Sequence, residues 1–129
     1  MKDPSFYNDN DRFSAANGME LVEVGEDVAV ARMTIGEQHL NCLGIVHGGV
    51  YFSLADLACG ASVGYEESGA VTLDSYGEFI ASAQVGDTIT ATAHPEAETR
   101  RTVRISVELR NQDDVLLTRF HFTNYKKRR

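Results

Sequence analysis

The chain has 129 residues, enough for one domain with a single hydrophobic core and too few for two. Apolar residues make up 43% and charged residues 24%, which is an ordinary globular composition. The net charge of −7 argues against a nucleic-acid-binding protein, because such domains are expected to be basic. The longest apolar run, residues 50–65, is too short to span a membrane and contains Asp56, so no membrane segment is predicted.

Basic residues are concentrated near the end of the chain. No Lys or Arg occurs between Arg32 and Arg100, whereas the chain ends in the basic tail 126–129. A local basic patch of this kind can bind a phosphorylated small molecule, although the tail itself is expected to be a solvated, disordered end.

The start of the chain and its two cysteines indicate the compartment. The first residues lead into the polar run 8–12, which is unlike a signal peptide. Cys42 and Cys59 both have apolar surroundings in the sequence, and they do not suggest a disulfide framework. We therefore expect a reduced, cytoplasmic protein.

The first predicted element is a short helix over residues 6–16, within an N-terminal lead-in of residues 1–18. Asn17-Gly18 is a signal for the end of that helix. Residues 36–49 are rich in glycine and are expected to be irregular. Residues 50–65 lack a proper polar face, so as a helix they must be buried on nearly all sides.

The remaining segments alternate between apolar and polar residues, as strands with one buried face do. Gly77 is expected to strain the strand that contains it. Five or six strands are predicted, over residues 19–24, 28–35, 71–80, 88–94, 103–110 and 115–125. A sheet that curls around the apolar helix lets each cover the apolar surface of the other, which predicts a single α+β domain over residues 1–129.

Asp56 lies in the middle of the predicted apolar helix and needs an explanation. An ionised carboxylate in such a helix is costly unless it is paired or hydrogen-bonded, and the nearest basic residues in the sequence are Arg32 and Arg100. One interpretation is structural, with the carboxylate at a solvated edge or bonded to backbone amides. The other is functional, because a buried acid without a basic partner is a common form of catalytic carboxylate.

His47-Gly48-Gly49 opens the same helix and is suited to hold a carbonyl oxygen. Two glycines at a helix start leave backbone N–H groups accessible, and the helix dipole adds partial positive charge there. Gly48 and Asp56 are eight residues apart, which corresponds to about 12 Å along a helix. If both act on one substrate, they must come from different subunits related by a two-fold axis.

The segment from Asn41 to Asp56 resembles the signature of phenylacetate-degradation-type hotdog thioesterases. That signature has Asn, Gly and His-Gly-Gly at fixed spacing, followed by a helix with Leu-Ala-Asp, and here the matching residues are Asn41, Gly44, 47–49 and 54–56. The likeness extends over most of the chain, to residues 18–21 and 85–87. It implies a hotdog fold, in which a curved antiparallel sheet wraps around one long helix.

The resemblance also implies roles for single residues. Asp56 would be the nucleophile or the general base that activates water, and the Gly48 N–H would bind the thioester oxygen. His47 and Asn41 would shape the loop and help to position the thioester. Thr72 matches a position where a hydroxyl holds the water or the carboxylate, although threonine is also common in strands for structural reasons.

The implied substrate is an acyl-CoA with an aromatic or medium-length acyl group, so CoA is part of the substrate and no separate cofactor is expected. On charge alone, Arg100, Arg101 and the tail 126–129 are candidates to bind the CoA phosphates, and Gly49 is a further candidate contact with CoA. No metal is expected, because the Cys and His residues lack ligand spacing. The resemblance further implies a homodimer with shared active sites, or a homotetramer built from two such dimers. Neither nucleic acid nor a membrane is expected as a partner.

Two alternative functions remain open at this stage. One is a non-catalytic acyl-CoA-binding or sensor protein, and the other is an enoyl-thioester dehydratase or hydratase. The sequence departs from the family pattern at Cys42, where proline is frequent, and at residues 76–78, and both positions bear on acyl specificity. His39 and His94 are interpreted as surface or packing histidines.

Overall fold

The computed structural model describes residues 2–127 and contains six strands around a helix of 15 residues. The lead-in forms helices α1 (Ser5–Asn10) and α2 (Arg12–Ala16). The central helix is α3 (Gly48–Ser62), and the short helix α4 (Tyr65–Ser68) follows it. The strands are β1 (Glu20–Val24), β2 (Ala29–Thr34), β3 (Val71–Phe79), β4 (Thr88–Glu98), β5 (Thr102–Arg110) and β6 (Leu116–Tyr125).

All six strands form one antiparallel sheet in the order β1-β2-β4-β5-β6-β3. Alternate side chains of the central strands face α3 and are fully buried, among them Ile89, Ala91, Val107 and Leu109. The helix contributes Leu54, Ala55, Ala58 and Cys59 to the same core. The predicted α+β hotdog architecture is therefore confirmed: a curved sheet wraps around one long helix.

The lead-in differs from the single helix predicted over residues 6–16. It breaks at Asp11, whose backbone is extended and whose carboxylate accepts a hydrogen bond from the Ser14 N–H at 3.0 Å. An aspartate in this position caps the second helix and ends the first, so the prediction of one continuous helix was wrong.

The central helix also differs from the prediction of burial on nearly all sides. Phe52 and Asp56 are exposed in the single chain, so α3 has one open face. The helix ends earlier than predicted, at Ser62, because Gly64 adopts a left-handed conformation (φ 58°).

The two edge strands of the sheet, β1 and β3, differ in what covers their outer side. At β1, the side chain of Asn8 accepts from the Leu21 N–H at 2.8 Å and donates to the Leu21 carbonyl at 2.9 Å, and the Lys2 N–H donates to the Val24 carbonyl. At β3, no strand pairs with the outer edge within residues 2–127. Every residue of β3 except Glu78 is exposed, including Val71, Leu73, Tyr76 and Phe79. The sheet is thus closed by the lead-in at one edge and open at the other.

The strain predicted at Gly77 is not found, because the backbone of Gly77 is not left-handed. Packing explains the glycine instead. A Cβ at Gly77 would lie 2.5 Å from Cε1 of Phe120, its partner across the strands. The absence of a side chain therefore makes room for the Phe120 ring. Strand β4 is also longer than predicted, because it continues through an irregularity at Pro95–Ala97 to Glu98.

The cysteines and the basic tail complete the comparison with the sequence. Cys59 is buried but Cys42 is exposed, and both are free thiols. Lys126 is not a solvated end, since its ammonium forms an ion pair with Glu98 and its side chain is only 15% exposed. The last two residues of the predicted disordered tail lie outside the described range. No helix within residues 2–127 is long and apolar enough to cross a membrane.

Candidate active site

Asp56 projects from the open face of α3 toward the start of β3. The Thr72 hydroxyl donates a hydrogen bond to its Oδ1 at 3.3 Å. The pairing of β3 with β6 shifts between Thr72 and Asp74, so Leu73 has no partner in the register, as in a β-bulge. Bulges commonly re-aim a side chain beside an active site, and this one leaves Thr72 on the side of the sheet that faces Asp56.

A hollow of about 520 Å³ surrounds this pair. Its polar side chains include Asp56, Thr72, Asp11 and Asn124, and it contains no Lys or Arg. The rest of the lining is mainly apolar or aromatic and includes Phe13, Phe52, Leu57, Tyr65, Ala70 and Val71. The site is therefore a mostly apolar hollow in which the Thr72 hydroxyl positions the Asp56 carboxylate.

The surroundings of Asp56 favour its neutral form relative to a carboxylate in water. Desolvation by neighbouring atoms raises the pKa of Asp56, the Thr72 hydrogen bond lowers it, and the negative charge of Asp11 raises it. Desolvation also raises the pKa of Tyr65 and that of the Cys59 thiol, and nearby acidic groups add to both shifts. Asp56 is the one carboxylate of the described chain whose pKa is raised, and such groups are concentrated at functional sites.

The effect of Asp11 on Asp56 leads to a first prediction. Asp11→Asn removes a negative charge but keeps the helix cap, because asparagine caps about as well as aspartate. The pKa of Asp56 should fall, so the acid limb of the pH profile of kcat/KM should move to lower pH. Activity that needs ionised Asp56 is present above its pKa and is lost as pH falls through it. The measurement is kcat/KM from about pH 4 to pH 8.

The Thr72→Val variant should move the acid limb of the pH profile in the opposite direction. Loss of the hydroxyl removes the hydrogen bond that lowers the pKa of Asp56, so the acid limb should move to higher pH. An unchanged profile in both variants would show that the titration of Asp56 does not control the reaction.

The start of α3 presents one backbone N–H without an acceptor. His47 is the N-cap, and its Nδ1 accepts from the Gly49 N–H at 2.9 Å. A Cβ at Gly49 would lie 3.1 Å from that nitrogen, so glycine leaves room for the cap. The Gly49 N–H is therefore already used within the chain. The Gly48 N–H has no hydrogen-bond partner within residues 2–127 and is positioned at the positive end of the helix dipole.

The loop before α3 is held by side chains that the sequence had singled out. Oδ1 of Asn41 accepts from the N–H groups of Leu43 and Ile45, which folds the chain tightly despite Cys42 in place of proline. His39 is buried, as a packing histidine would be: its Nδ1 accepts from the Gly36 N–H, and its Nε2 lies 3.2 Å from the Asn17 carbonyl. The loop is thus anchored both internally and to the lead-in.

An aromatic cluster supports the first half of α3. Phe79 lies 5.9 Å from Tyr51 and 5.6 Å from Phe120, measured between ring centroids. Phe52 contacts Phe120 and Phe122 at 5.8 Å and 5.6 Å. A Cβ at Gly48 would lie 3.6 Å from the Phe79 ring, so the cluster reaches the helix start.

Arg100 and Arg101 are exposed in the turn between β4 and β5. The Arg101 guanidinium donates to the Tyr125 hydroxyl at 3.1 Å, and Tyr125 is the register partner of Val71, which lines the Asp56 hollow. Tyr125 follows the inward-facing Asn124 in β6, and neither arginine lines the hollow. His94 is at the surface, as expected. No three His, Cys, Asp or Glu side chains in the described part of the chain are grouped as metal ligands.

Several residues of the hollow were not identified from the sequence, among them Asn124, Asp11, Phe13 and Tyr65. Asn124 continues the inward alternation of Phe120 and Phe122, so a polar residue in a buried strand position was a usable signal. Asp11, Phe13 and Tyr65 had no such signal, because they reach the hollow only through the packing of α2 and α4 on α3.

Comparisons with known proteins agree with this fold. The family model for the thioesterase superfamily matches residues 43–118. The acyl-coenzyme A thioesterase PaaI of Escherichia coli (strain K12) is 30% identical over 118 residues, which cover 92% of this chain and 84% of that protein. The chain belongs to the thioesterase superfamily, and its enzyme class is thioester hydrolase.

Solved structures give the same result. The structure of the E. coli PaaI protein from the phenylacetic acid degradation operon superimposes with a TM-score of 0.88, covering 95% of this chain and 88% of that one. A Streptococcus mutans protein bound to acetyl CoA is 26% identical, with a TM-score of 0.79 over 86% of this chain and 91% of that one. Among curated relatives, mouse acyl-coenzyme A thioesterase 13 is 31% identical over 71% of this chain and 67% of its own length.

Proposed function

We propose that the chain hydrolyses an acyl-CoA thioester, with an aromatic or medium-length acyl group, to the free acid and CoA. The observation that carries this proposal is the Asp56 carboxylate, held by Thr72 in a mostly apolar hollow of the open helix face. The relatives named as acyl-coenzyme A thioesterases and the neighbour bound to acetyl CoA support the choice of substrate.

The chemistry needs one new bond to the thioester carbon and the loss of its bond to sulfur. Asp56 either directs a water molecule at that carbon and takes its proton, or attacks the carbon itself. In the second case a mixed anhydride forms, and water then hydrolyses it to regenerate the carboxylate. In both cases the CoA thiolate leaves and the acid is released. Thr72 holds the carboxylate or the water in position.

The Gly48 N–H binds the carbonyl oxygen as negative charge develops on it. Donors that are already oriented toward that charge are among the strongest contributors to acyl-transfer catalysis. His47 fixes the helix start as its N-cap, and Asn41 fixes the loop before it. Both residues act by positioning Gly48.

The site is shared between two copies of the chain. Gly48 and Asp56 lie on one helix and are about 12 Å apart along its axis, so they cannot both contact one thioester carbon. The open edge of β3 and the open face of α3 offer surfaces on which a second copy can bring its Gly48 to Asp56. A homodimer of the 129-residue domain is the minimal unit, and light scattering distinguishes it from a homotetramer.

CoA phosphates bind at the surface near Arg100 and Arg101. Both side chains are exposed, and the Arg101 guanidinium is oriented by the Tyr125 hydroxyl and ring. Gly49 contributes by making room for the His47 cap rather than by its own N–H, which the cap occupies.

The proposal is tested by the release of free thiol from a panel of short, medium-length and aromatic acyl-CoA thioesters. We expect the wild-type protein to release thiol from at least one class. Binding of the panel without any thiol release would support the non-catalytic sensor. Addition of water to an enoyl-CoA, with the thioester intact, would support the hydratase.

A further inference from the structure

Phe13 is an exposed aromatic residue with an unusual position. Its side chain is 61% exposed on helix α2. It lines the Asp56 hollow and also a second hollow of about 260 Å³ beside His47 and Gly49, and Ser53 of α3 is common to both. The ring therefore lies over α3 between the helix start and the carboxylate.

Helix α2, which carries Phe13, is fixed by hydrogen bonds at both ends. The Asp11 carboxylate caps α2 before Phe13, and the buried Ser14 accepts from the Met19 N–H through its carbonyl at 2.9 Å. The Asn17 side-chain amide donates to the carbonyl of Phe13 itself at 3.0 Å. Helix α2 is thus tied down at both ends, and the exposure of Phe13 does not result from a frayed terminus.

The chemistry of the hollow indicates which part of a thioester it receives. No Lys or Arg lines it, and its acidic groups repel phosphate, so the phosphorylated half of CoA does not fit. Phe13, Phe52, Leu57 and Val71 offer apolar contacts directly beside Asp56. An apolar acyl group attached to the reacting carbonyl satisfies both conditions.

We propose that Phe13 is a specificity-determining residue whose ring forms the wall of the acyl pocket and limits the length of the acyl group. This inference rests on the proposed thioesterase function. A shorter side chain opens the Asp56 hollow toward the second hollow at the helix start, where the additional carbons of a longer acyl chain find room.

The test compares Phe13→Ala with Phe6→Ala across straight-chain acyl-CoA thioesters of increasing length. Phe6 is a matched control, because it is 47% exposed in the same lead-in and lines neither hollow. In Phe13→Ala, the ratio of kcat/KM for the longest to the shortest substrate should rise by about 10-fold or more, as one or two apolar contacts provide. Phe6→Ala should keep the wild-type ratio, and Phe13→Leu should be intermediate.

A wild-type length profile in Phe13→Ala, or an equal change in Phe6→Ala, would overturn the assignment. Both phenylalanines are exposed, so neither variant should change the melting temperature. Calorimetric binding of non-hydrolysable acyl-CoA analogues of the same lengths gives the comparison without turnover. If the wild-type protein releases no thiol, the hydrolase proposal fails, and the binding series still decides the role of Phe13.

Discussion

Replacing Asp56 with asparagine is expected to lower kcat by about 10²–10⁴-fold, the range found when a general acid or base is removed. Asparagine keeps the size of the side chain and can still accept from Thr72, but it neither attacks the thioester nor takes a proton from water. Binding of a non-hydrolysable acyl-CoA analogue should persist, because the apolar lining of the hollow is unchanged. Free-thiol release and calorimetry measure the two effects separately.

Asp74→Asn is the matched control for this substitution. Asp74 is an exposed aspartate two residues beyond Thr72 and is paired in register with Thr123 rather than with the residues of the hollow. It should retain wild-type turnover. Near-normal turnover in Asp56→Asn would remove Asp56 from the proposed mechanism.

Replacing Gly48 with proline is expected to lower kcat by about 10²–10³-fold, which is the usual effect of losing one oxyanion donor. The substitution replaces the N–H hydrogen with the Cδ of the proline ring and leaves the helix start in place. Proline is favoured at the first position of a helix, and the backbone of His47 (φ −62°, ψ 134°) has the conformation that a residue before proline prefers. The measurement is kcat with the best substrate of the panel, with circular dichroism to confirm the fold.

Gly48→Ala tests whether bulk on Cα, rather than the change at the backbone nitrogen, causes the effect. Its Cβ would lie 3.6 Å from the Phe79 ring, which is an ordinary contact, and its N–H remains. Turnover should therefore stay within a few-fold of wild type. Equal losses in the alanine and proline variants would contradict an oxyanion role for the Gly48 N–H.

A mixture of the two inactive proteins tests the shared site. After unfolding and refolding together at equal amounts, half of the dimers should carry one chain of each kind, and one of their two sites should be intact. Turnover should recover to about a quarter of the wild-type value. Continued inactivity of a mixture that forms mixed dimers would contradict a site built from Gly48 of one chain and Asp56 of the other.

Much of the fold could be predicted because the strands and the main helix carry periodic patterns. The alternation of Val103, Ile105 and Val107 follows directly from a sheet with one buried face, and all three are buried. The break at Asp11 and the end of α3 at Ser62 were missed, because each depends on one local feature: a cap in the first case and a left-handed glycine in the second. Periodicity does not report such single-residue events.

The site could be predicted only in part. The spacing from Asn41 to Asp56 brought together the loop, the helix start and the carboxylate, and the structure places them along one helix and the loop before it. The wall made by Asp11 and Phe13 was invisible, since those residues precede the signature by about thirty positions in the printed sequence. Contacts between distant segments depend on packing, which the local pattern does not encode.

The edge of β3, which no strand within residues 2–127 covers, also makes the isolated single chain prone to aggregation in solution. A strand with free N–H and C=O groups and exposed Leu73, Tyr76 and Phe79 is a template for any extended segment that meets it. In the proposed dimer, dilution or mild denaturant that separates the subunits is expected to expose this edge, so that reassociation competes with aggregation. Preparations should therefore be kept concentrated. When a dilute sample loses activity, aggregation should be tested before a chemical change at Asp56 is considered.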